Sequence, residues 1–174
     1  ANPFLARFYQ NRQRYALQTQ LFFLFQRLDQ MRDMAQPDLF PRTVISDYLM
    51  EKELLFASLT LSEDDYRLYR QIYDRVSQQA GAAPDLVIYL QARPETLIGR
   101  VRKRGIDMER KIDDDYLTLL GESYTRFFHD YTAAPVMVVN SENLNFVDKP
   151  DDFLLLVQRI ETMRGPREYF NRGD

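Results

Sequence analysis

Hydrophobic positions along the chain repeat with two different periods, one typical of helices and one typical of buried strands. The first clear stretch runs from about Gln13 to Met34, where apolar residues recur every three or four positions. That spacing places them on one face of an α-helix, so we predict a long buried helix here. The residues of this face are Leu17, Leu21, Leu24, Leu28 and Met31.

Further helices are predicted by their start and stop signals. Ser62, with Asp65 three residues later, resembles a capping box and begins a helix that Gly81 ends. Pro94 is suited to the first position of a helix that reaches Gly105. Two more helices are predicted over about 113–131 and 151–164.

Three short apolar or β-branched runs predict strands, namely Thr43–Ser46, Leu86–Leu90 and Val136–Val139. They alternate with the helices, which indicates an α/β fold with a parallel sheet flanked by helices. Ligands bind such sheets at the carboxyl ends of the strands. The polar residues that follow each strand are therefore the first candidates for a site.

Composition narrows the class of protein. The chain has 174 residues and is 45% hydrophobic, enough for one globular domain over 1–174. There is no cysteine, which excludes disulfides and thiolate metal sites. The one histidine, His129, lies among aromatic residues, so we interpret it as a packing residue and assign no metal ligand.

Charge and hydropathy exclude two kinds of partner. The net charge of -3 lacks the broad basic surface of a duplex-binding protein, so no nucleic-acid polymer is expected. The longest apolar run, Leu21–Phe25, is far shorter than the roughly 20 residues of a membrane span. We therefore expect no membrane partner and a soluble, cytoplasmic protein.

Two polar residues, Gln20 and Arg27, lie close to the apolar face of the first long helix. One interpretation is that they line a pocket, where the amide reads a planar base and the guanidinium anchors it. The other is that the apolar face simply ends there and both side chains reach solvent. The helical pattern leaves both interpretations open.

Asp47, Tyr48, Lys52 and Glu53 follow the predicted strand Thr43–Ser46. A carboxylate at this place could assist a magnesium-bound phosphate or a sugar hydroxyl. Alternatively, Asp47 is a helix N-cap and the residues after it form a solvated first turn. Position alone does not decide between these alternatives.

A basic cluster occupies the end of the helix that begins at Pro94. Arg100 and Arg104 are one turn apart on the same face, and Glu109 follows Gly105 in a segment that is otherwise basic. Such a cluster could clamp a polyphosphate. Cations at a helix C-terminus are also favoured by the helix dipole, so a purely structural role is an alternative.

Four stretches, in the same order and with similar spacing, resemble the deoxyribonucleoside kinases, especially bacterial deoxyadenosine and deoxyguanosine kinase-like proteins. They are residues 2–9 (NPFLARFY), 15–23 (YALQTQLFF), 85–95 (DLVIYLQARPE) and 100–105 (RVRKRG). The resemblance implies a P-loop kinase-like sheet and phosphorylation of a deoxyribonucleoside 5′-hydroxyl with ATP and Mg²⁺. It also implies a homodimer whose small-molecule partners are a deoxynucleoside and a nucleoside triphosphate.

The resemblance assigns roles residue by residue. Gln20 matches a glutamine that reads the base, and Arg27 matches a base-site arginine. Tyr9 matches a tyrosine that contacts the 3′-hydroxyl. In a lid segment over about 100–112, Arg100 and Arg104 match arginines that bind the donor phosphates. Glu109 in the same segment matches an acidic residue that also contacts the 3′-hydroxyl.

Some positions depart from the family pattern. Asp47 fits the acidic position of an acidic-Arg-Ser/Thr motif, but Tyr48 stands where arginine is usual, and Lys52 is the candidate substitute. When the chain is aligned with the family without a gap, Glu53 occupies the position of an aspartate that contacts the base. A rival alignment, which matches the motif through Arg42 and Asp47, needs a gap. In addition, Ile106 stands where a further lid arginine is common.

The family's first strand, its G-x-x-x-x-G-K-S/T loop and its general-base glutamate have no match in these residues. We expect them upstream in a longer protein and expect the 174 residues alone to be inactive. A fusion to a pterin pyrophosphokinase, as in some bacterial proteins with a similar kinase domain, would account for such a longer chain. A thymidylate-type monophosphate kinase and a non-catalytic nucleotide-binding or partner module are the alternatives. Base preference does not follow, because one glutamine satisfies several bases by turning its amide.

Overall fold

A computed structural model describes residues 2–34, 43–79, 83–106 and 112–172. The chain divides into two compact units, Ala1–Ala82 and Ala83–Asp174. Whether these form the single domain expected over 1–174 stays a prediction. Gly81 and Glu109 lie outside the described residues.

The first unit is helical. It begins with a short helix that was not predicted from the sequence. The long predicted helix follows, and its bounds are confirmed except that it starts one residue earlier than predicted. The helices are α1 (Leu5–Gln10), α2 (Arg12–Met34), α3 (Lys52–Thr60) and α4 (Glu63–Val76), and a short 3₁₀ turn, Ser77–Gln79, follows α4.

The start of α4 follows the prediction. The Ser62 side chain accepts a hydrogen bond from the backbone N–H of Asp65, which satisfies one of the amide groups left open at a helix N-terminus. Three acidic residues in the first turn are favoured by the helix dipole. The predicted start of this helix, with Ser62 as its N-cap, is therefore confirmed.

The core of this unit forms where α2, α3 and α4 pack together. Leu24 and Tyr69 are completely buried, and the other members of the buried cluster are Leu28, Met50, Ala57 and Tyr73. Burying such side chains stabilises the fold by about 1.5–3 kcal/mol for each large apolar residue. Among the described residues, no helix combines the length and apolar character needed to cross a membrane.

The predicted strand Thr43–Ser46 is wrong. These residues adopt no strand, and all four are exposed, Ile45 to 93%. A strand requires a neighbour that accepts and donates backbone hydrogen bonds, and no described residue pairs with this run. The β-branched composition was the only signal, and propensity without a pairing partner is weak evidence.

The second unit is a three-stranded parallel sheet with helices, in the strand order β1-β2-β3. The strands are β1 (Val87–Gln91), β2 (Val136–Asn140) and β3 (Arg167–Phe170), and the helices are α5 (Pro94–Arg104), α6 (Asp114–Asp130) and α7 (Pro150–Thr162). The parallel α/β fold is as predicted. The sequence missed β3, because Arg167-Glu168-Tyr169-Phe170 is a short edge strand without an apolar run.

The ends of α5 are also as predicted. Pro94 is its first residue, and Gly105 ends it in the left-handed conformation with φ of 67°, which glycine adopts without steric cost. The packing role predicted for His129 is wrong: its side chain is 79% exposed and pairs with Asp130. His129 lies in the last turn of α6 and faces solvent. Its neighbour Phe128 faces the core instead, where its ring stacks on that of Tyr89 with the ring centroids 4.4 Å apart.

Candidate acceptor and phosphate sites

Gln20 is a buried polar residue on α2, only 6% exposed. Its Nε2 donates a hydrogen bond to Thr60 Oγ1 at 3.1 Å, which connects α2 to the last residue of α3. Leu24, one turn along the same helix, is fully buried. The interpretation that Gln20 reaches solvent at the edge of an apolar face is therefore wrong.

Arg27, two turns further along α2, forms an ion pair with Glu53 on α3 through its Nε and Glu53 Oε1. The Glu53 side chain is 3% exposed, whereas that of Arg27 is 24% exposed. The hydroxyl of Tyr69 donates to the other carboxylate oxygen, Oε2, at 3.4 Å. Glu53 is thus not part of a solvated first turn, as one alternative held, but a buried acid with both oxygens engaged.

An aromatic ring covers the arginine. The guanidinium carbon of Arg27 lies 4.7 Å from the centroid of the Tyr48 ring and 5.8 Å from that of Phe23. Both distances are within the range of a cation–π interaction. Tyr48, which stands where the family often has arginine, therefore restricts the orientation of the guanidinium.

Burial controls the electrostatics of this cluster. It raises the pKa of Glu53, and the charge and hydrogen bond of Arg27 oppose that rise. Burial also lowers the pKa of Lys52, and the neighbouring charge of Arg27 lowers it further. Both effects disfavour the charged forms, so the ion pair with Arg27 is what offsets the cost of a buried carboxylate.

Asp47 and Lys52 lie at the edge of the same unit. Lys52 Nζ donates to the main-chain oxygen of Asp47 at 3.3 Å, and the N-cap position of α3 is Glu51. The alternative that Asp47 caps this helix is therefore wrong. Because Asp47 is exposed, its carboxylate is open to solvent.

Tyr9 lies in α1, which packs on α2. The tyrosine is half-buried, and its ring meets that of Phe8 edge-on at a centroid distance of 5.6 Å. Phe8 is buried and anchors the helix. The fold thus holds Tyr9 on an ordered helix within the unit that carries Gln20 and Arg27.

The second unit presents arginine at the carboxyl ends of its strands. Arg100 donates from Nη1 to Ser141 Oγ at 2.9 Å and from Nη2 to Ser141 O at 2.6 Å. Ser141 in turn donates to the main-chain oxygen of Gln91, the last residue of β1. Arg104 follows one turn later on α5 and is exposed. The site predicted after the strands therefore carries positive charge.

Glu142, two residues beyond β2, is a further polar residue of this region that was not predicted from the sequence. Its carboxylate accepts hydrogen bonds from the backbone N–H of Arg93 at 2.6 Å, from the Arg93 side chain and from Thr96 Oγ1 at 3.0 Å. These bonds lower the pKa of Glu142 and cap the start of α5, whose N-cap Arg93 has no side-chain cap of its own. The rule that polar residues follow strand ends already pointed to this position.

The second unit thus has arginine at the carboxyl ends of a parallel sheet, where such sheets bind ligands. The first unit holds a buried glutamine and an ion-paired arginine beside an aromatic ring. The model of the deoxynucleoside kinase family matches residues 1–163. The deoxyguanosine kinase of Bacillus subtilis is 30% identical over 93% of this chain and 80% of its own length. The deoxyadenosine kinase of Dictyostelium discoideum is 29% identical over 94% of this chain and 66% of its own length.

Solved structures agree on the fold. The deoxyadenosine kinase from M. mycoides with bound dATP superposes with a TM-score of 0.77, covering 92% of this chain and 82% of that one at 23% identity. The chain therefore belongs to the deoxynucleoside kinase family. It is a kinase, and its reaction is the phosphorylation of deoxynucleosides.

Proposed function

We propose that Gln20 and Arg27 form the base-reading part of the acceptor site, and that the preferred acceptor is deoxyguanosine. The observation that carries this proposal is the buried Gln20 on the same helix face as an arginine that a buried carboxylate orients. Ligand pockets use a small number of precisely placed polar groups to fix the orientation of the ligand and to give specificity.

The balance of donors and acceptors favours a guanine base. Both Glu53 oxygens already accept hydrogen bonds, from Arg27 and Tyr69, so the carboxylate has limited capacity for a ligand. In contrast, the two Nη groups of Arg27 make no hydrogen bond to any residue in the described parts of the chain. Guanine offers the adjacent acceptors O6 and N7, which an arginine meets with two parallel bonds. The relative from Bacillus subtilis is named for the same acceptor.

The other assignments follow the family resemblance. Tyr9 and Glu109 would hold the deoxyribose. Arg100 and Arg104 would hold the phosphates of the donor triphosphate, which we propose is ATP. Phosphoryl transfer leaves little covalent work for the protein, so these residues act by positioning the reactants and neutralising charge.

Magnesium fits the first unit only as an ion that is also bound to the phosphates of the substrate. No group of three or more acidic or histidine side chains among the described residues is arranged to hold a metal ion, but Mg²⁺ is commonly held by one or two carboxylates, waters and the substrate's phosphates. Asp47, exposed and acidic, is the residue that would hold it, with Lys52 fixing the local backbone. When bound, the ion supplies charge neutralisation at the phosphates.

We also propose a cytoplasmic homodimer, on the family resemblance. The exposed apolar side chains of α7, Phe153 and Leu154, are compatible with a subunit interface. Sedimentation of the purified protein tests this assignment: a mass of twice the chain supports it, and a monomer at micromolar concentration overturns it.

A kinetic comparison tests the base site. Purified full-length protein with ATP and Mg²⁺ is assayed on the four deoxynucleosides, together with Gln20→Ala and, as a matched control, Gln26→Ala, an exposed glutamine on the same helix. We expect deoxyguanosine to be the best acceptor and Gln20→Ala to lower kcat/KM by about a hundredfold, since buried polar groups are left unpaired. Equal kinetics for the two variants would overturn the proposal.

A further inference from the structure

Thr60 makes two hydrogen bonds of opposite direction through one hydroxyl group. Its Oγ1 donates to the main-chain oxygen of Phe56, one turn earlier on α3, at 2.8 Å. The same oxygen accepts from Gln20 Nε2 at 3.1 Å. A hydroxyl has one hydrogen and two lone pairs, so with its hydrogen bonded to Phe56 it faces Gln20 only as an acceptor.

This arrangement fixes the orientation of the Gln20 amide. If the amide turned by 180°, Oε1 would face Thr60 Oγ1, and two lone pairs would meet. The hydroxyl could relieve this only by giving up its bond to Phe56. Because Gln20 is 6% exposed, water has little access to replace the lost bond, and a buried polar group without a partner is costly.

We propose that Thr60 is a specificity-determining residue, which sets the base preference by keeping the carbonyl oxygen of Gln20 available to the acceptor base. An unconstrained glutamine turns its amide and satisfies bases with opposite hydrogen-bonding edges. Locked, it favours a base that places a ring N–H against Oε1, as guanine does, over one that places a bare ring nitrogen there, as adenine does. This inference rests on the base-reading role proposed for Gln20.

The test replaces the hydroxyl and keeps the shape. Thr60→Val removes both bonds at nearly constant volume, Thr60→Ser keeps them, and the measured quantity is the ratio of kcat/KM for deoxyguanosine to that for deoxyadenosine, with ATP and Mg²⁺. We expect Thr60→Val to bring this ratio about fivefold closer to one, the worth of one hydrogen bond. Thr60→Ser should stay within about twofold of the wild type, since its hydroxyl makes both bonds. Thr60→Ala carries the same prediction if the valine variant does not fold.

The outcomes separate this inference from the proposal beneath it. If Gln20→Ala impairs the acceptor kinetics but Thr60→Val and Thr60→Ala leave the ratio unchanged, Thr60 does not set specificity and the base-reading role of Gln20 stands. If Gln20→Ala also changes nothing, the base site itself is wrongly assigned and the inference fails with it. A wild-type ratio below one overturns the guanine preference, and a Thr60→Val variant that raises the ratio overturns the lock, because freeing the amide can only reduce the advantage of guanine.

Discussion

Arg27 and Glu53 form an ion pair between α2 and α3 in which the carboxylate is buried and the guanidinium remains partly exposed. The asymmetry follows from where the two side chains start: Glu53 lies in the first turn of α3 against the core, beside Tyr69. On the proposed base-reading role, the acid orients the arginine and a ligand meets the exposed part of the guanidinium. Stability and recognition would then depend on the same pair.

Arg27→Met should destabilise the protein by about 3 kcal/mol, because it leaves a buried carboxylate without its partner. The loss should depend on pH. Burial already raises the pKa of Glu53, and without the opposing arginine the pKa rises further. A raised folded pKa gives stability that is present below the unfolded pKa and is lost as pH rises through the folded value. Urea unfolding at pH 5 and pH 8 should show the larger loss at pH 8.

The double variant Arg27→Met with Glu53→Leu is the control for this prediction. Replacing both partners by apolar residues removes the unpaired charge and should recover most of the lost stability. A single variant as stable at pH 8 as the wild type, or one that is more stable at pH 8 than at pH 5, would show that the pair does not offset the cost of burying Glu53.

Thr19→Val should stabilise the protein by about 1 kcal/mol. Thr19 is 1% exposed, and its hydroxyl has no hydrogen-bond partner among the described residues. Valine keeps the shape and removes the unsatisfied group. The matched control is Thr118→Val, whose hydroxyl donates to Asp114 O and so should give no gain. Thermal unfolding decides, and a lower melting temperature for Thr19→Val would contradict this account.

The sequence predicted the helices of this fold better than its strands. The 3.6-residue period of α2 is encoded locally, so its bounds follow from the chain itself. A strand depends on a neighbour distant in sequence, which explains why the exposed run at Val44 was predicted as a strand and β3 was missed. The short helix α1, with six residues, is too brief to show a clear period.

Alkaline pH should destabilise the first unit through its buried tyrosines. Burial raises the pKa of Tyr73 to about 12, and it raises that of Tyr69 as well. Their stabilising contribution is fully present below the unfolded pKa near 10 and is lost as pH rises through the folded values. Tyr73→Phe, which does not titrate, should lose less stability than the wild type between pH 9 and pH 11.5. Denaturant unfolding at the two pH values measures the free energy of unfolding that each protein loses. An equal loss in Tyr73→Phe and wild type would contradict the prediction.

Arg100→Ala should lower kcat by about a hundredfold, as expected for loss of a donor that stabilises transition-state charge. The apparent affinity for ATP should fall, while KM for the deoxynucleoside changes little. Arg126→Ala, an exposed arginine on α6, is the control in the same unit. If Arg100→Ala changed only the deoxynucleoside KM, the donor-side assignment would be wrong.

The site was only partly predictable. Gln20 and Arg27 stood out because they interrupt an apolar helix face, but the sequence could not show that Glu53 is buried against Tyr69, a contact made across 16 residues. The orientation of the Gln20 amide depends on Thr60, 40 residues away. Such pairings depend on how α2, α3 and α4 pack, and no local pattern encodes them.

The most direct test of the central claim is the acceptor assay on the full-length protein with ATP and Mg²⁺, run on wild type, Gln20→Ala and Gln26→Ala. The account predicts 5′-phosphorylation of deoxynucleosides, fastest with deoxyguanosine. It predicts a kcat/KM about a hundredfold lower in Gln20→Ala and unchanged in Gln26→Ala. Failure to phosphorylate any of the four deoxynucleosides, or full activity in Gln20→Ala, would contradict it.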